Sequence, residues 1–155
     1  MEDFAKIKSV DGYEIIVDKE DLARLSVHKW KVSFEGPRRY AVTVKAPLLR
    51  IHRLVMRAKP GQIVDHINGD CLDNRKQNLR FCSNAENAKN RRISSNNKVG
   101  FKGVYWDKRL KKFSAIIYFD GKRKPLGHFD CPFKAARAYD AAAKELHGNF
   151  AKTNF

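Results

Sequence analysis

The segment from Val64 to Asp70 constrains the fold of this chain more than any other. It reads Val-Asp-His-Ile-Asn-Gly-Asp and follows Ile63, so an apolar strand runs directly into an acid, an imidazole and an Asn-Gly turn signal. Consecutive residues of a strand point to opposite faces. Asp65 and His66 can therefore share one site only if the strand ends there and the backbone bends into the turn.

The same residues carry the chemistry of phosphodiester hydrolysis, which needs a base for the attacking water and a cation on the phosphate. Asp65 and the amide oxygen of Asn87 are ligands that Mg²⁺ or Mn²⁺ accepts. His66 is a candidate general base, because an imidazole with a pKa of ~6.5 is neutral near physiological pH. Ser83-x-x-Glu86 is a capping-box pattern that predicts a helix from about residue 84, with Asn87 in its first turn.

The charge of the chain predicts a polyanionic partner. The 155 residues carry a net charge of +15, of which residues 1–50 contribute +2, residues 51–100 contribute +6 and residues 101–155 contribute +7. A basic surface on the second half favours nucleic acid. A basic membrane-surface helix is the rival interpretation, but the most strongly helical segment is Ala-rich and nearly neutral.

Other classes of protein are disfavoured. No apolar run approaches the ~18–20 residues that span a bilayer, and the N-terminus lacks a basic-then-apolar signal layout. We therefore expect a cytoplasmic protein of a bacterial or phage-infected host cell, with no membrane partner. The three cysteines form no Cys-x-x-Cys pair, which argues against a structural zinc site.

The order of patterns along the chain predicts an α+β protein. Residues 1–58 look β-rich, with strand candidates at 13–17, 30–34 and 40–44 and a short helix over 18–25. Periodicity leaves 49–56 open between strand and helix. Residues 91–98 have linker composition. The remainder predicts three strands at 103–106, 112–119 and 124–129 and a turn at Asp120-Gly121. It also predicts a helix over 133–147, with Asp130 as its cap and Pro132 as an early helical proline, that stops at Gly148.

The stretch from His52 to about Asn90 resembles the HNH nucleases, a family with the ββα-metal fold that includes many homing endonucleases. The resemblance implies that His66 activates water, Asn78 pins the histidine loop, and Asp65 and Asn87 bind the metal. The last family position is often histidine, so this chain is an H-N-N version. An amide oxygen favours Mg²⁺ or Mn²⁺ over zinc or nickel.

Residues 99–155 resemble the APETALA/ethylene-response DNA-binding domain. The resemblance rests on Lys102–Trp106, Leu126–Phe129, Ala135–Ala143, Gly148 and Asn154-Phe155. In that family a three-stranded sheet lies in the major groove of DNA. The resemblance and the basic residues around it predict DNA contacts from Lys102, Tyr105, Arg109, Lys112, Tyr118, Arg123 and Lys124. Ile116 and Pro125 occupy positions that match base-reading positions of the family, and both read bases poorly. We therefore expect phosphate contacts to contribute more to DNA binding than base contacts.

Several residues keep two interpretations. His52 is either a phosphate contact or a packing residue, and Arg80 is either a phosphate clamp or a solvated surface residue. Asn78 is more structural than catalytic, because asparagine hydrogen-bonds loop backbone well. Asp70, Asp73 and Asn74, together with Gly69, suggest a calcium loop only faintly, since the twelve-residue pattern ending in Glu is absent.

The combined expectation is a homing-type DNA endonuclease that acts on double-stranded DNA. It comprises an HNH nuclease domain at 1–90, in which 1–50 is a β-rich buttress and 51–90 the ββα-metal core. A linker at 91–98 leads to the DNA-binding domain at 99–155, a three-stranded antiparallel sheet packed by one helix. We expect a monomer with no obligate protein partner. The alternatives are a non-cleaving DNA-binding regulator with a degenerate nuclease half and, as a third class, an RNA-binding protein.

Overall fold

The computed structural model describes residues 3–90, 93–94 and 96–155. The contacts between residues divide the chain into two compact units, Met1–Asn84 and Ala85–Phe155. In the described part of the chain, strands form small sheets beside four α-helices, so the protein is a mixture of α and β. None of the described helices has the length and apolar character needed to cross a lipid bilayer.

The first unit contains three two-stranded antiparallel sheets and two short α-helices. Its elements are β1 (Phe4–Lys8), β2 (Glu14–Asp18), α1 (Lys19–Leu25), β3 (Trp30–Glu35), β4 (Arg38–Thr43), α2 (Ile51–Val55), β5 (Ile63–His66) and β6 (Leu79–Cys82). The three predicted strands and the helix over 18–25 are confirmed, and the ambiguous segment 49–56 contains a helix. Strand β1 is an addition, formed by a charged, half-buried sequence that pairs with β2.

One hydrophobic core draws on both the N-terminal part of this unit and the segment that carries the predicted site. Ile15 and Val17 of β2 are fully buried in it together with Ile51 of α2, and Leu79 of β6 joins them. Burial of each such side chain contributes roughly 1.5–3 kcal/mol. Trp30 lies in the same core and donates its indole N–H to the carbonyl of Leu25 at 2.9 Å.

The second unit contains a three-stranded antiparallel sheet covered by one long helix, as predicted. Its elements are α3 (Asn84–Lys89), whose first residue lies at the end of the first unit, then β7 (Val104–Asp107), β8 (Lys112–Phe119), β9 (Lys122–Phe129) and α4 (Pro132–His147). The turn between β8 and β9 has positive φ at both Asp120 and Gly121, as a type I′ hairpin requires. Helix α4 ends at Gly148 as predicted.

The predicted cap of α4 is wrong by one residue. The N-cap is Cys131 rather than Asp130, because Pro132 occupies the first helical position and so fixes the cap directly before it. Asp130 is exposed and lies 3.4 Å from the ammonium group of Lys112.

Sheet β7–β8–β9 has one face against α4 and one outer face. Ala115 and Ile117 of β8 are buried against α4, whereas Tyr118 is 61% exposed.

The predicted linker at 91–98 includes residues 91, 92 and 95, which lie outside the described residues, so it stays a prediction. Within it, Asn97 is fixed by local hydrogen bonds: its side-chain amide donates to the carbonyls of Phe101 and Val104.

Candidate functional site

His66 is the last residue of β5 and lies opposite Leu79 in the antiparallel ladder with β6. The strand ends there, as predicted: the Gly69 N–H donates to the His66 carbonyl at 2.9 Å, and Gly69 has a φ of +76°. The Ile67 N–H donates to the carbonyl of Asn78, also at 2.9 Å, which closes the loop that joins the two strands. We call residues 67–78 the site loop.

The ring of His66 is 4% exposed, and the carboxylates of Asp65, Asp70 and Asp73 lie near enough to act on it electrostatically. Its Nε2 lies 3.2 Å from Oδ1 of Asn74, and its centroid is 5.1 Å from that of His52 in an edge-to-face arrangement. Burial lowers the pKa of His66, an effect that the hydrogen bond to Asn74 partly opposes. His66 is therefore neutral at physiological pH, the state that a general base needs.

Asp65 is held by Arg80, which lies directly opposite it in the ladder. The Nε and Nη2 atoms of Arg80 approach Oδ2 of Asp65 at 3.0 and 2.8 Å. Both side chains are largely buried, which makes this pair stronger than a surface ion pair. The structure thus gives Arg80 a protein partner that neither sequence interpretation considered. Opposite charges across an antiparallel ladder are the signal that could have found it.

Asn78 joins the two ends of the site loop. Its Oδ1 accepts a hydrogen bond from the backbone N–H of Asn68 at 3.0 Å, and its Nδ2 donates to the carbonyl of Asp73 at 2.7 Å. The Asp73 carboxylate in turn accepts bonds from the amide of Asn68 and the guanidinium of Arg75. These contacts bridge the site loop at several points. The role of Asn78 in orienting the catalytic histidine stays a prediction.

His52 lies inside the first unit. It is 4% exposed, and burial, with His66 adding to the effect, lowers its pKa to about 3. Its Nδ1 is buried and has no hydrogen-bond partner among the described residues. This position suits the packing interpretation, and a phosphate contact from His52 stays a prediction.

Asn87 is a half-buried residue of α3, a helix that begins at Asn84 as the capping pattern predicts. It belongs to the second unit, whereas Asp65 and His66 belong to the first. Its pairing with Asp65 as a metal ligand stays a prediction.

The donor chemistry of the predicted ligands fits a hard cation. A carboxylate and an amide oxygen suffice for Mg²⁺, which keeps several waters. Among the described residues, three acidic side chains approach one another closely at Asp18, Glu20 and Asp21. Lys76 makes ion pairs with Glu20 and Asp21, and Arg24 pairs with Asp21, so two cations offset part of the negative charge of this group.

The outer face of sheet β7–β8–β9 carries aromatic and cationic side chains. It is formed by Tyr105, Ser114, Ile116, Tyr118 and Arg123, with Lys108 and Arg109 beside it. Tyr105 and Tyr118 are about half exposed or more, and Arg123 lies opposite Tyr118 in the ladder. Ile116 is buried, so its position on the sheet also makes it a poor candidate for contacts with bases.

The remaining lysines of the predicted DNA-binding set lie elsewhere. Lys102 donates from Nζ to the carbonyl of Lys89 at 2.6 Å, and burial lowers its pKa to about 8. Lys112 lies near Asp130. Lys124 is opposite Ile117, so by register it belongs to the face that α4 covers. DNA contacts from these three lysines stay predictions.

In the sequence, Asn74 belongs only to the faint calcium-loop pattern and has no predicted role beside His66. It is fully buried and contacts His66, yet its place in the Leu-Asp-Asn run carries no sign of that contact. The contact depends on how the loop closes.

Comparisons with known proteins agree with both sequence resemblances. The family model for HNH endonuclease matches residues 50–89, and the model for the AP2 domain matches residues 99–149. Protein 3.8 of Escherichia phage T7 is 32% identical over 118 residues, which cover 73% of this chain and 95% of the phage protein.

A second relative is an uncharacterized HNH endonuclease of Acanthamoeba polyphaga mimivirus. It is 28% identical over 165 aligned positions, which cover 99% of this chain and 86% of the viral protein. No solved structure matches the chain. Both relatives are viral, and both domain types point to DNA as the partner. The chain belongs to the HNH endonuclease family and carries an AP2 domain.

Proposed function

We propose that this protein is a homing-type DNA endonuclease that hydrolyses phosphodiester bonds with one divalent metal ion, Mg²⁺ or Mn²⁺. The observation that carries the proposal is the buried His66 at the end of β5, whose pKa burial lowers, directly beside Asp65 and followed by a loop that Asn78 bridges. A base that is neutral and a carboxylate next to it are the minimum that metal-assisted hydrolysis requires of the protein.

His66 is the general base in this proposal. It removes a proton from a water molecule, whose oxygen forms a new bond to phosphorus while one phosphodiester P–O bond breaks. The departing oxygen takes a proton from solvent, and His66 later releases its proton to solvent. A metal held by Asp65 and Asn87, in the ββα-metal arrangement, would supply positive charge at the phosphate. General-base catalysis of this kind contributes typically 10²–10⁴-fold in rate.

Arg80 positions Asp65 in the proposal. Its two hydrogen bonds to Oδ2 restrict the rotation of the carboxylate, and its charge lowers the cost of burying that anion. A direct phosphate contact by Arg80 would need this ion pair to be rearranged.

The AP2 unit binds double-stranded DNA with its outer face. Tyr105, Tyr118, Arg109 and Arg123 are exposed on or beside that face, where they can reach phosphates and bases of a groove. The twelve Lys and Arg residues against five Asp and Glu in 101–155 supply the sequence-independent part of the affinity. One chain is sufficient for this arrangement, and it would act in the cytoplasm of a bacterial or phage-infected host cell.

A plasmid-nicking assay tests the proposal. The wild-type protein should convert supercoiled plasmid to the nicked form with Mg²⁺, and a chelator should abolish the reaction. His66→Ala should nick at least 10²-fold more slowly. His28→Ala removes an imidazole that packs edge to face against Trp30 outside the site, and it should nick like wild type. Equal rates for His66→Ala and wild type would contradict the assignment.

The alternative function is a non-cleaving DNA-binding regulator. The ion pair between Arg80 and Asp65 favours it to a degree, because it occupies the carboxylate that a metal would use. This alternative predicts DNA binding without cutting in Mg²⁺ or Mn²⁺.

A further inference from the structure

We propose that Asn74 is a positioning residue that fixes the tautomer of His66, with the ring proton on Nε2 and the basic lone pair on Nδ1. The inference rests on the proposed function in one respect only, namely that His66 is the base. It names a residue outside the H-N-N positions, and it assigns the nitrogen that takes the proton from water.

The orientation of the Asn74 amide follows from its two neighbours. One end of the amide lies 3.2 Å from His66 Nε2, and Nδ2 lies 3.5 Å from the carbonyl oxygen of Cys71. A carbonyl oxygen only accepts hydrogen bonds, so the NH₂ group must face Cys71 and Oδ1 must face His66. The side chain is fully buried, so water does not compete for either end.

The orientation of the amide then determines the proton on His66. Asn74 Oδ1 is an acceptor, so a hydrogen bond at 3.2 Å requires a proton on Nε2. A neutral imidazole carries a proton on one nitrogen only. The opposite tautomer would place two buried lone pairs against each other and would lose this hydrogen bond.

The N-terminal hairpin holds Asn74 in place. The Asn74 backbone N–H donates to the carbonyl of Ile16 at 2.7 Å, and the Ile16 N–H donates to the carbonyl of Leu72 at 2.9 Å. These bonds attach the site loop to β2, whose Ile15 and Val17 are fully buried. The first 50 residues thereby acquire a specific role, which is to fix the loop that orients the base.

His52 fixes the plane of the His66 ring. Its ring meets that of His66 edge to face, with an interplanar angle of 77°, and Tyr40 lies 6.4 Å from the same ring. Because these neighbours are themselves buried, a flip of the His66 ring would require them to move.

The wild-type protein gives the first test, which needs no variant and no activity. Long-range ¹H–¹⁵N correlation spectra of the histidine rings at neutral pH report which nitrogen carries the proton. We expect His66 to show the Nε2–H tautomer. Observation of the Nδ1–H tautomer in the wild-type protein would overturn the inference.

Two variants of Asn74 supply the second test. Asn74→Ala removes the acceptor and should give a tautomer mixture, with a nicking rate at saturating DNA and metal that falls about 10–100-fold, the usual size of an outer-shell effect. Asn74→Asp keeps an oxygen in place, so it should keep the Nε2–H tautomer and nick within about tenfold of wild type. Gln77→Ala removes an exposed amide of the same loop and is the matched control.

The outcomes separate this inference from the proposed function. If wild type nicks, His66→Ala does not, and Asn74→Ala keeps both the tautomer and the wild-type rate, the inference is wrong and the function stands. If wild type does not nick DNA, the function fails, and the spectra of wild type and Asn74→Asp still decide the tautomer. Should Asn74→Ala fail to fold, those same two spectra decide it.

Discussion

In the first unit the polar side chains of the candidate site are buried and bonded to one another, whereas on the outer face of the AP2 sheet they are exposed. Asp65, His66, Asn74 and Asn78 are each less than a tenth exposed, while Tyr118 is 61% exposed. Buried polar groups are stable only with partners, so the first arrangement is rigid and intolerant of substitution. The second arrangement can adjust to DNA.

We expect this difference in burial to reflect two tasks, catalysis in the first unit and DNA binding at the outer face of the AP2 sheet. A base must be fixed to within a fraction of an ångström of its target, which buried hydrogen bonds achieve. Phosphate contacts tolerate looser placement, because Coulomb attraction to a phosphate has weak angular dependence. We therefore expect substitutions in the first unit to affect stability and rate, and substitutions on the outer face to affect affinity.

Lowering the pH should reduce the stability of the first unit more than any of the substitutions below. The pKa of His52 is about 3 in the folded state against about 6.5 when unfolded, so the unfolded chain binds the proton more readily. Stability is fully present above pH 6.5 and falls by about 1.4 kcal/mol per pH unit below it, or about 4 kcal/mol by pH 3.5. Urea titrations at several pH values measure this loss, and His52→Leu should reduce it. An unchanged acid profile in His52→Leu would contradict the burial argument.

Gly103→Ala should give the next largest effect and probes the second unit. Gly103 has a φ of +73°, and a Cβ there would lie 2.0 Å from Tyr139 Cδ2 and 2.8 Å from the carbonyl of Ile116. Strain and overpacking together should cost about 3 kcal/mol. Gly121→Ala is the control, because its φ is +72° but a Cβ would meet nothing within 4 Å. Equal thermal destabilisation by the two changes would mean that the contact with Tyr139 has no energetic weight.

Asn78→Ala should destabilise the first unit by about 2 kcal/mol. It removes the side-chain partner of the Asn68 N–H and of the Asp73 carbonyl. Asn68 is exposed, so most of the loss comes from the buried Asp73 carbonyl, which costs about 1–3 kcal/mol when unsatisfied. Urea unfolding measures the change, and Gln77→Ala should stay within about 0.5 kcal/mol of wild type. Wild-type stability in Asn78→Ala would show that Asn78 does not hold the site loop.

Arg123→Ala should have the smallest effect, confined to affinity. Loss of one phosphate contact should weaken DNA binding by about 1 kcal/mol and reduce the slope of log affinity against log salt by about 1. Lys144→Ala is the matched control, since Lys144 is an exposed lysine of α4, the helix that covers the opposite face of the sheet. Fluorescence anisotropy across a salt series compares them. Equal losses of DNA affinity in the two variants would contradict the assignment of the outer face as the DNA-binding surface.

Local signals predicted much of the second unit. Asp120-Gly121 forms the expected tight turn, and Gly148 ends α4, because each feature depends on a few adjacent residues. The cap at Cys131 was missed because a proline at the first helical position outweighs the preference of Asp130 for a cap.

Long-range contacts set the details of the candidate site, and sequence reasoning does not reach them. His66 and Asp65 were identified from their position at the end of a strand. Arg80 and Asn74 acquire their roles through the register of β5 with β6 and through the attachment of Leu72 to Ile16, which lie far apart in the chain. The types of residues along a sequence do not indicate which distant segments come into contact.

The most direct test of the division between the two units is the nicking of plasmid DNA by His66→Ala under single-turnover conditions, with DNA affinity measured on the same preparation. We predict a rate at saturating protein and Mg²⁺ that is 10²–10⁴-fold below wild type, with DNA affinity within about twofold of wild type. A rate equal to that of wild type would contradict the central claim that catalysis resides at His66.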